Sequence, residues 1–216
     1  MVSFSASTLA REAAQLDAPL LPRHTLVLRR LAYWASAITQ PPFTATAAIL
    51  LVLMHGAEAI AWQWVVSHLL LAVGVPTAYV VSLRLRGHIA DIQLPERRQR
   101  LRPYLFAIAC MLCSAALMHL GRAPRVLQSI ALAGSAQFAL MWLITLRWKI
   151  SAHTASAGSL FAIAHGLLGS SALPLGLLLP LVGWSRVYLR RHDVMQVIAG
   201  SLLGIAVTLA ALTWLH

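Results

Sequence analysis

Long apolar runs separated by short charged connections make up most of this chain. Seven runs stand out, at about residues 42–58, 61–83, 103–120, 126–146, 153–169, 171–189 and 193–215. A helix needs about 20 residues to cross the hydrocarbon of a bilayer, with roughly 17 as the lower limit. The fifth run is short by that measure and the first is marginal. Lipid offers backbone groups no hydrogen-bond partners, and the runs are too long for barrel strands, so helices are expected. Pro76, Pro174 and Pro180 fall inside runs and predict kinks. The expected fold is an all-α integral membrane bundle of six to seven transmembrane helices. Ahead of the first run, residues 24–40 mix arginines with Leu26, Leu28, Leu31, Tyr33 and Trp34. That mixture predicts an interfacial helix lying on the membrane. The chain shows no internal repeat and no low-complexity linker.

Composition strengthens the membrane reading. The chain is 59% hydrophobic and 11% charged, against about 45–50% and about 25% in a soluble domain. Residues 1–22 contain Arg11, Glu12 and Asp17 and no continuous apolar core. No secretory signal is therefore expected, and insertion is expected through an uncleaved helix, in a bacterial inner membrane.

The net charge of +11 would suggest nucleic acid in a soluble protein. Between apolar spans it has a better explanation, because cytoplasmic loops collect arginine. No nucleic-acid partner is expected. One face holds Arg11, Arg23, Arg29, Arg30, Arg84, Arg86, Arg97, Arg98, Arg100, Arg102, Arg147, Lys149, Arg186, Arg190 and Arg191, which is fifteen of the seventeen basic residues. The other face holds Arg122 and Arg125. The fifteen-charge face is expected in the cytoplasm. Removing five candidate site residues (Arg97, Arg102, Lys149, Arg186 and Arg191) still leaves ten against two.

The unusual polar residues gather in three loops on that same face: D-I-Q-L-P-E-R-R-Q-R-L-R-P at 91–103, R-W-K-I-S-A-H at 147–153 and S-R-V-Y-L-R-R-H-D-V-M-Q at 185–196. Successive loops are separated by two spans, so all three can converge at one depth. Basic side chains beside lipid are costly unless paired or watered, which makes the cluster a site candidate. Arginine forks match phosphate oxygens bidentately, lysine adds a point charge, and helix N-termini add N–H donors. Two histidines suit a division of labour in which one attacks phosphorus and the other protonates the leaving oxygen.

These loops resemble the three motifs of the type 2 phosphatidic acid phosphatase (PAP2) superfamily, K-x6-R-P, P-S-G-H and S-R-x5-H-x3-D. Ser185, Arg186 and His192 match the third in spacing. Ser151 and His153 match the second, with Ile150 in place of proline and Ala152 in place of glycine. Arg102 and Pro103 match the end of the first, where Pro95 stands in place of lysine. The resemblance covers roughly residues 84–204. It implies that His192 is the nucleophile, forming a phosphohistidine, and that His153 is the general acid. It implies that Arg102, Arg186 and Ser151 hold phosphate oxygens. Lys149, or Arg97 or Arg98 in a shifted register, is the expected substitute for the missing lysine. In the family an aspartate four residues after the nucleophile orients its imidazole. Here that position is Gln196, whose carbonyl can accept the imidazole N–H but supplies no charge. Asp193 is expected to cap the last span.

The expected organisation is a cytoplasmic N-terminal segment with an interfacial helix, residues 1–41, ahead of the first apolar run, and a transmembrane domain, residues 42–216, which the resemblance implies is phosphatase-like. The expected activity is hydrolysis of a lipid phosphate or diphosphate, preferably prenyl, with no metal and no cofactor. Two alternatives use the same pocket: a prenyl diphosphate transferase or terpene cyclase-like enzyme, and a non-catalytic lipid-phosphate-binding protein. Asp91 and Glu96 are expected to pair with Arg97, Arg98 or Arg100, a Mg²⁺ role being the weaker reading. His55, His68, His119 and His165 are expected as packed span residues, and His24 and His88 as solvated. His55 and Glu58 make a weak H-x-x-E metal candidate. Cys110 and Cys113 are expected as packing residues, and Trp184 and Tyr188 as interface anchors.

Overall fold

The computed structural model describes residues 23–55 and 62–213, and every regular element among them is helical. Glu58, the end of the first run, Arg11 and the rest of residues 1–22 lie outside the described residues. The helices are α1 (Arg23–Ile38), α2 (Pro41–His55), α3 (Trp62–Leu85), α4 (Leu101–Leu120), α5 (Arg125–Thr145), α6 (Ala152–Leu168), α7 (Leu178–Tyr188) and α8 (Val194–Thr213). A 3₁₀ turn at Arg98–Arg100 leads into α4, and a 3₁₀ segment at Gly169–Leu177 leads into α7.

Among the described residues, five helical stretches are long and apolar enough to cross a membrane, and α1 with α2, bent by 51°, would make a sixth. One of the five, Ala152–Tyr188, has 37 residues. Drawn straight it would run about 55 Å, nearly twice the hydrocarbon thickness. Its two ends nevertheless meet: Ser151 N–H donates to Gln196 O at 3.3 Å, and Lys149 Nζ donates to Arg191 O at 2.6 Å. The stretch is therefore a hairpin that goes out as α6 and returns through the 3₁₀ segment and α7. Gly169, at φ 59°, sits at the reversal, in a left-handed conformation that glycine adopts freely. This hairpin accounts for both the fifth and the sixth apolar runs.

The three prolines act differently. Pro76 has no N–H to give and crowds the carbonyl one turn earlier. The π-helical turn Leu69–Gly74 lies directly before it and absorbs the mismatch inside α3. Pro174 lies in the 3₁₀ segment rather than in an α-helix. Pro180 falls in the first turn of α7, where a missing N–H costs nothing.

Helices α6 and α8 make the most extensive contact in the bundle. Glycines make it close. A Cβ on Gly204 would collide with the Ala155 carbonyl, one on Gly200 with Thr154 Oγ1 and Ser151 O, and one on Gly158 with Ser201 O at 2.6 Å. Small residues four apart let two membrane helices approach backbone to backbone. The consequence is positional, since this seam joins the N-terminus of α6, with His153, to the first turn of α8, with Gln196.

Helix α1 packs one face against α7, burying Ala32, Ala35 and Ser36, while Leu28, Leu31, Trp34 and Ile38 on the other face are exposed. It is thus engaged by the bundle and does more than lie on a surface. Cys113 is exposed on α4, and both thiols are free. His68, buried within α3, bonds through Nδ1 to Ser114 Oγ at 2.8 Å, a satisfied packed histidine as expected. Trp184 and Tyr188 pack ring to ring, with centroids 5.6 Å apart.

Candidate active site

The three polar loops do converge, and the structure shows what ties them together. Arg100, only 4% exposed, donates from Nε to Leu94 O at 2.7 Å and from Nη1 to Ile150 O at 3.0 Å. It thereby staples the first loop to the second. Asp91 joins the first loop to the third through an ion pair with Arg191 at 2.8 Å, the one such pair among the described residues. Arg186, fully buried at the end of α7, donates from Nη1 to Gln93 Oε1 at 2.8 Å and to Ser36 Oγ at 2.6 Å. Lys149 closes the ring from the second loop to the third by its bond to Arg191 O. Leu94 and Arg190, both non-glycine residues, hold left-handed φ values of 48° and 53° in these loops. Such strain, of order 1–3 kcal/mol each, persists where the surroundings over-determine the backbone.

Two imidazoles face the space beneath the loops. His153, in the first turn of α6, is buried, and its Nε2 has no hydrogen-bond partner among the described residues. His192, in the turn before α8, is buried too, and its Nδ1 lies 2.9 Å from Gln196 Oε1. Gln196 Nε2 donates to Asp193 Oδ2 at 2.7 Å, and Gln196 N–H donates to Asp193 Oδ1 at 2.9 Å. Asp193 therefore caps α8, as expected, and touches the Gln196 side chain as well. Arg186 Nε is a further buried donor without a partner among the described residues. Unpaired buried donors of this kind are costly unless a ligand meets them.

Both histidines, with Gln93, Leu94 and Arg100, cap one end of a cavity of about 280 Å³. Below them the walls turn apolar, with Tyr104, Ala107 and Met111 from α4, Ala133 and Phe138 from α5, and Ala72 and Val80 from α3. The cavity reaches Thr208 and Leu212 near the far end of α8. Leu212 lies 20 positions beyond His192, a helical rise of about 30 Å. The space therefore runs most of the depth of the bundle.

Residues 99–216, more than half of the chain, match the PAP2 superfamily. The chain belongs to that superfamily. Membership places it among phosphatase-type proteins that act on phosphate esters, and its apolar helices make it a membrane protein. No curated protein and no solved structure matches it.

Against this PAP2 frame, the sequence-expected residues divide. His153, His192, Gln196, Arg186 and Lys149 are brought to the site. Ser151 is adjacent but fully buried, and its hydroxyl accepts from Thr154 N–H at the start of α6. Arg102 is exposed and has no hydrogen bond among the described residues. Arg98 is also exposed, and Arg97 donates to Thr145 O and Leu146 O, capping the C-terminus of α5. Glu96 accepts from Gln99 Nε2 rather than from an arginine, and Asp91 pairs with Arg191 rather than with Arg97, Arg98 or Arg100.

Three participants escaped the sequence reading. Arg100 occupies the pocket end where Arg102 was expected, and Gln93 lies seven residues before it. That is the lysine-to-arginine spacing of the first family motif moved two residues upstream, with glutamine for lysine and Leu101 for proline. The signal was present in the spacing, but the R-P pair at 102–103 masked it. Ser36, from α1, lies outside every motif and is placed only by the packing of α1 on α7.

Charge and burial act together on the side chains outside the spans. Burial pushes the His192 imidazole down to about 3, and the Arg100 guanidinium adds to this, ahead of Arg186 and Lys149, while the Gln196 hydrogen bond opposes it. The Lys149 ammonium is also pushed down, by burial first and then by Arg100, Arg186 and Arg191, with Asp193 opposing. The pocket is thus a concentration of positive charge around a neutral imidazole. An arriving phosphate would relieve the repulsion.

Proposed function

We propose that the chain hydrolyses a lipid phosphate or diphosphate, preferably of a prenyl alcohol, through a phosphohistidine on His192. The observation that carries this reading is the cavity: one end holds Arg100 and two histidines, with Arg186 and Lys149 adding charge beside it, and its remaining walls are mostly apolar. A phosphate headgroup fits the mouth and an apolar tail fits the shaft.

The proposed steps are these. Arg100 and Arg186 hold the phosphate oxygens, with Lys149 adding charge from the loop beside them. The His192 Nδ1–H is held by Gln196 Oε1, so Nε2 bears the lone pair that attacks phosphorus. The bond from phosphorus to the leaving oxygen breaks, and His153 Nε2 gives that oxygen its proton. Water then attacks the phosphohistidine, His153 accepts a proton from it, and the N–P bond breaks to release inorganic phosphate and free His192. For a diphosphate the leaving group is the lipid monophosphate.

The fifteen-to-two charge asymmetry supports a site on the cytoplasmic face of a bacterial inner membrane. A cysteine placed at residue 99, in a variant whose Cys110 and Cys113 are replaced, should react with membrane-impermeant thiol reagents only after the membrane is opened. Labelling in intact cells would reverse the orientation. For the activity, purified protein is incubated with prenyl diphosphates, prenyl phosphates and phosphatidate, and all products are analysed. Phosphate release that disappears in His192→Ala supports the phosphatase. Activity undiminished in His192→Ala defeats it. Inorganic pyrophosphate with an altered hydrocarbon would assign the pocket to transfer or cyclisation, and intact substrate with tight binding would assign it to binding alone.

A further inference from the structure

Where the family has a carboxylate on the nucleophilic histidine, this chain has a carboxamide, and an amide has two unlike ends. The difference matters because the Gln196 oxygen can only accept and its nitrogen can only donate. With the oxygen toward His192, Nδ1 must hold the proton and Nε2 is free to attack. With the nitrogen toward His192, Nδ1 must accept, Nε2 holds the proton, and the imidazole is inert as a nucleophile. Nothing within Gln196 decides between these two states.

The neighbouring carboxylate does. Asp193 Oδ2 lies 2.7 Å from Gln196 Nε2, and the other carboxylate oxygen takes the Gln196 backbone N–H at 2.9 Å. A carboxylate can only accept, so turning the amide over would set two acceptor oxygens against each other. Asp193 itself is fixed by its cap on α8. His192 Nδ1 at 2.9 Å from Oε1 completes the chain.

We propose that Asp193 is a positioning residue for His192, acting through Gln196: it locks the carboxamide in the one orientation that leaves His192 Nε2 unprotonated, and thereby restores by relay what the family obtains from a direct carboxylate. This rests on His192 being the nucleophile. Asp193 touches neither substrate nor reacting atoms.

Asp193→Ser separates the lock from the cap, because serine caps a helix about as well as aspartate but cannot reach and order the amide. The lock predicts an unchanged melting temperature, a kcat lowered by about tenfold or more, and a KM within about twofold of the parent. In Asp193→Ser combined with Gln196→Asp, kcat should recover, since a carboxylate placed directly on His192 has no wrong way round. A readout independent of turnover is the ¹⁵N signal of His192 in histidine-labelled protein. The parent should show the Nδ1–H tautomer, and Asp193→Ser a mixture of the two. Parental kcat in Asp193→Ser, a loss that Gln196→Asp does not repair, or an unchanged tautomer would each overturn the relay. If instead His192→Ala stays active while the tautomer shifts as stated, the relay stands and the assignment of the nucleophile falls.

Discussion

Arg100 and Arg102 stand two residues apart at the start of α4, and the fold treats them oppositely. Two residues on a helix differ by about 200° around the axis, so only one of them can face the pocket. The turn Arg98–Arg100 sets which. Arg100→Ala should lower kcat/KM by about a hundredfold or more, the usual cost of removing one donor aimed at developing charge. Arg102→Ala should stay within about twofold. Because Arg100 also holds the Leu94 and Ile150 carbonyls, Arg100→Lys is the companion variant. It keeps a positive charge near the mouth and loses the fork, and intermediate activity is expected. At this scale the two histidines, Arg186 and Gln196 were legible, because they stand at positions of the family motifs that the loops resemble. Arg100 was not, because the register of the first loop depends on a 3₁₀ turn whose length no residue type announces. The titration of His192 gives a second expectation. Its value of about 3 lies below the ordinary 6.5, so between these pH values the folded protein binds fewer protons than the unfolded chain. Stability from this group is therefore complete above pH 6.5 and is lost as pH falls toward 3. Between pH 7 and pH 4 the melting temperature should fall less in His192→Asn than in the parent, the difference corresponding to at most about 3 kcal/mol. Equal falls in both proteins would show that His192 titrates normally.

The seam between α6 and α8 lets small residues set how close the two histidine-bearing helix starts lie. His153 begins one helix and His192 precedes the other, so their separation is set by how closely the two backbones approach. Gly200 and Gly204 lie where any Cβ would meet backbone or Thr154 of α6. Gly204→Val should therefore force the helices apart, at a cost of about 1–3 kcal/mol from overpacking, and activity should fall much further than stability. Leu202, exposed on the same helix between the two glycines, supplies the control. Leu202→Val should leave both properties within error of the parent. A Gly204→Val protein with parental kcat would show that the seam does not set the site. Legibility at this scale was mixed. Apolar run length located the helices, since burial in lipid demands it. The break between the fifth and sixth runs marked the reversal at Gly169. The π turn before Pro76 was invisible, because it is a way the backbone answers a local conflict. The engagement of α1 was also missed. Its alternating arginines and aromatics describe an amphipathic face equally well against lipid headgroups or against α7.

Across the whole molecule, the cavity is the feature that no stretch of sequence contains. Its walls come from α2, α3, α4, α5, α6 and α8, and each contributes residues that read, one helix at a time, as ordinary apolar packing. What the sequence could show was a cationic end and a surrounding greasy bundle; the shaft between them exists only once the helices are assembled. A shaft measures its occupant. Ala133 lies on α5, 12 residues before Thr145 ends that helix at the polar loops, which puts it about 18 Å below them. Ala133→Phe should fill the shaft at that depth and leave the mouth untouched. Substrates whose tails end above it should keep parental kcat/KM, while those that extend past it lose the burial of whatever is displaced. Each displaced methylene gives up about 0.8 kcal/mol, so excluding two or three lowers kcat/KM by about one to two orders of magnitude. The measurement is kcat/KM over a ladder of prenyl phosphates of increasing length, for parent and variant, with melting temperatures alongside. The two curves should coincide for short tails and separate at one length. If they separate by the same factor at every length, the tail does not occupy this shaft, and the substrate must approach the histidines from another side.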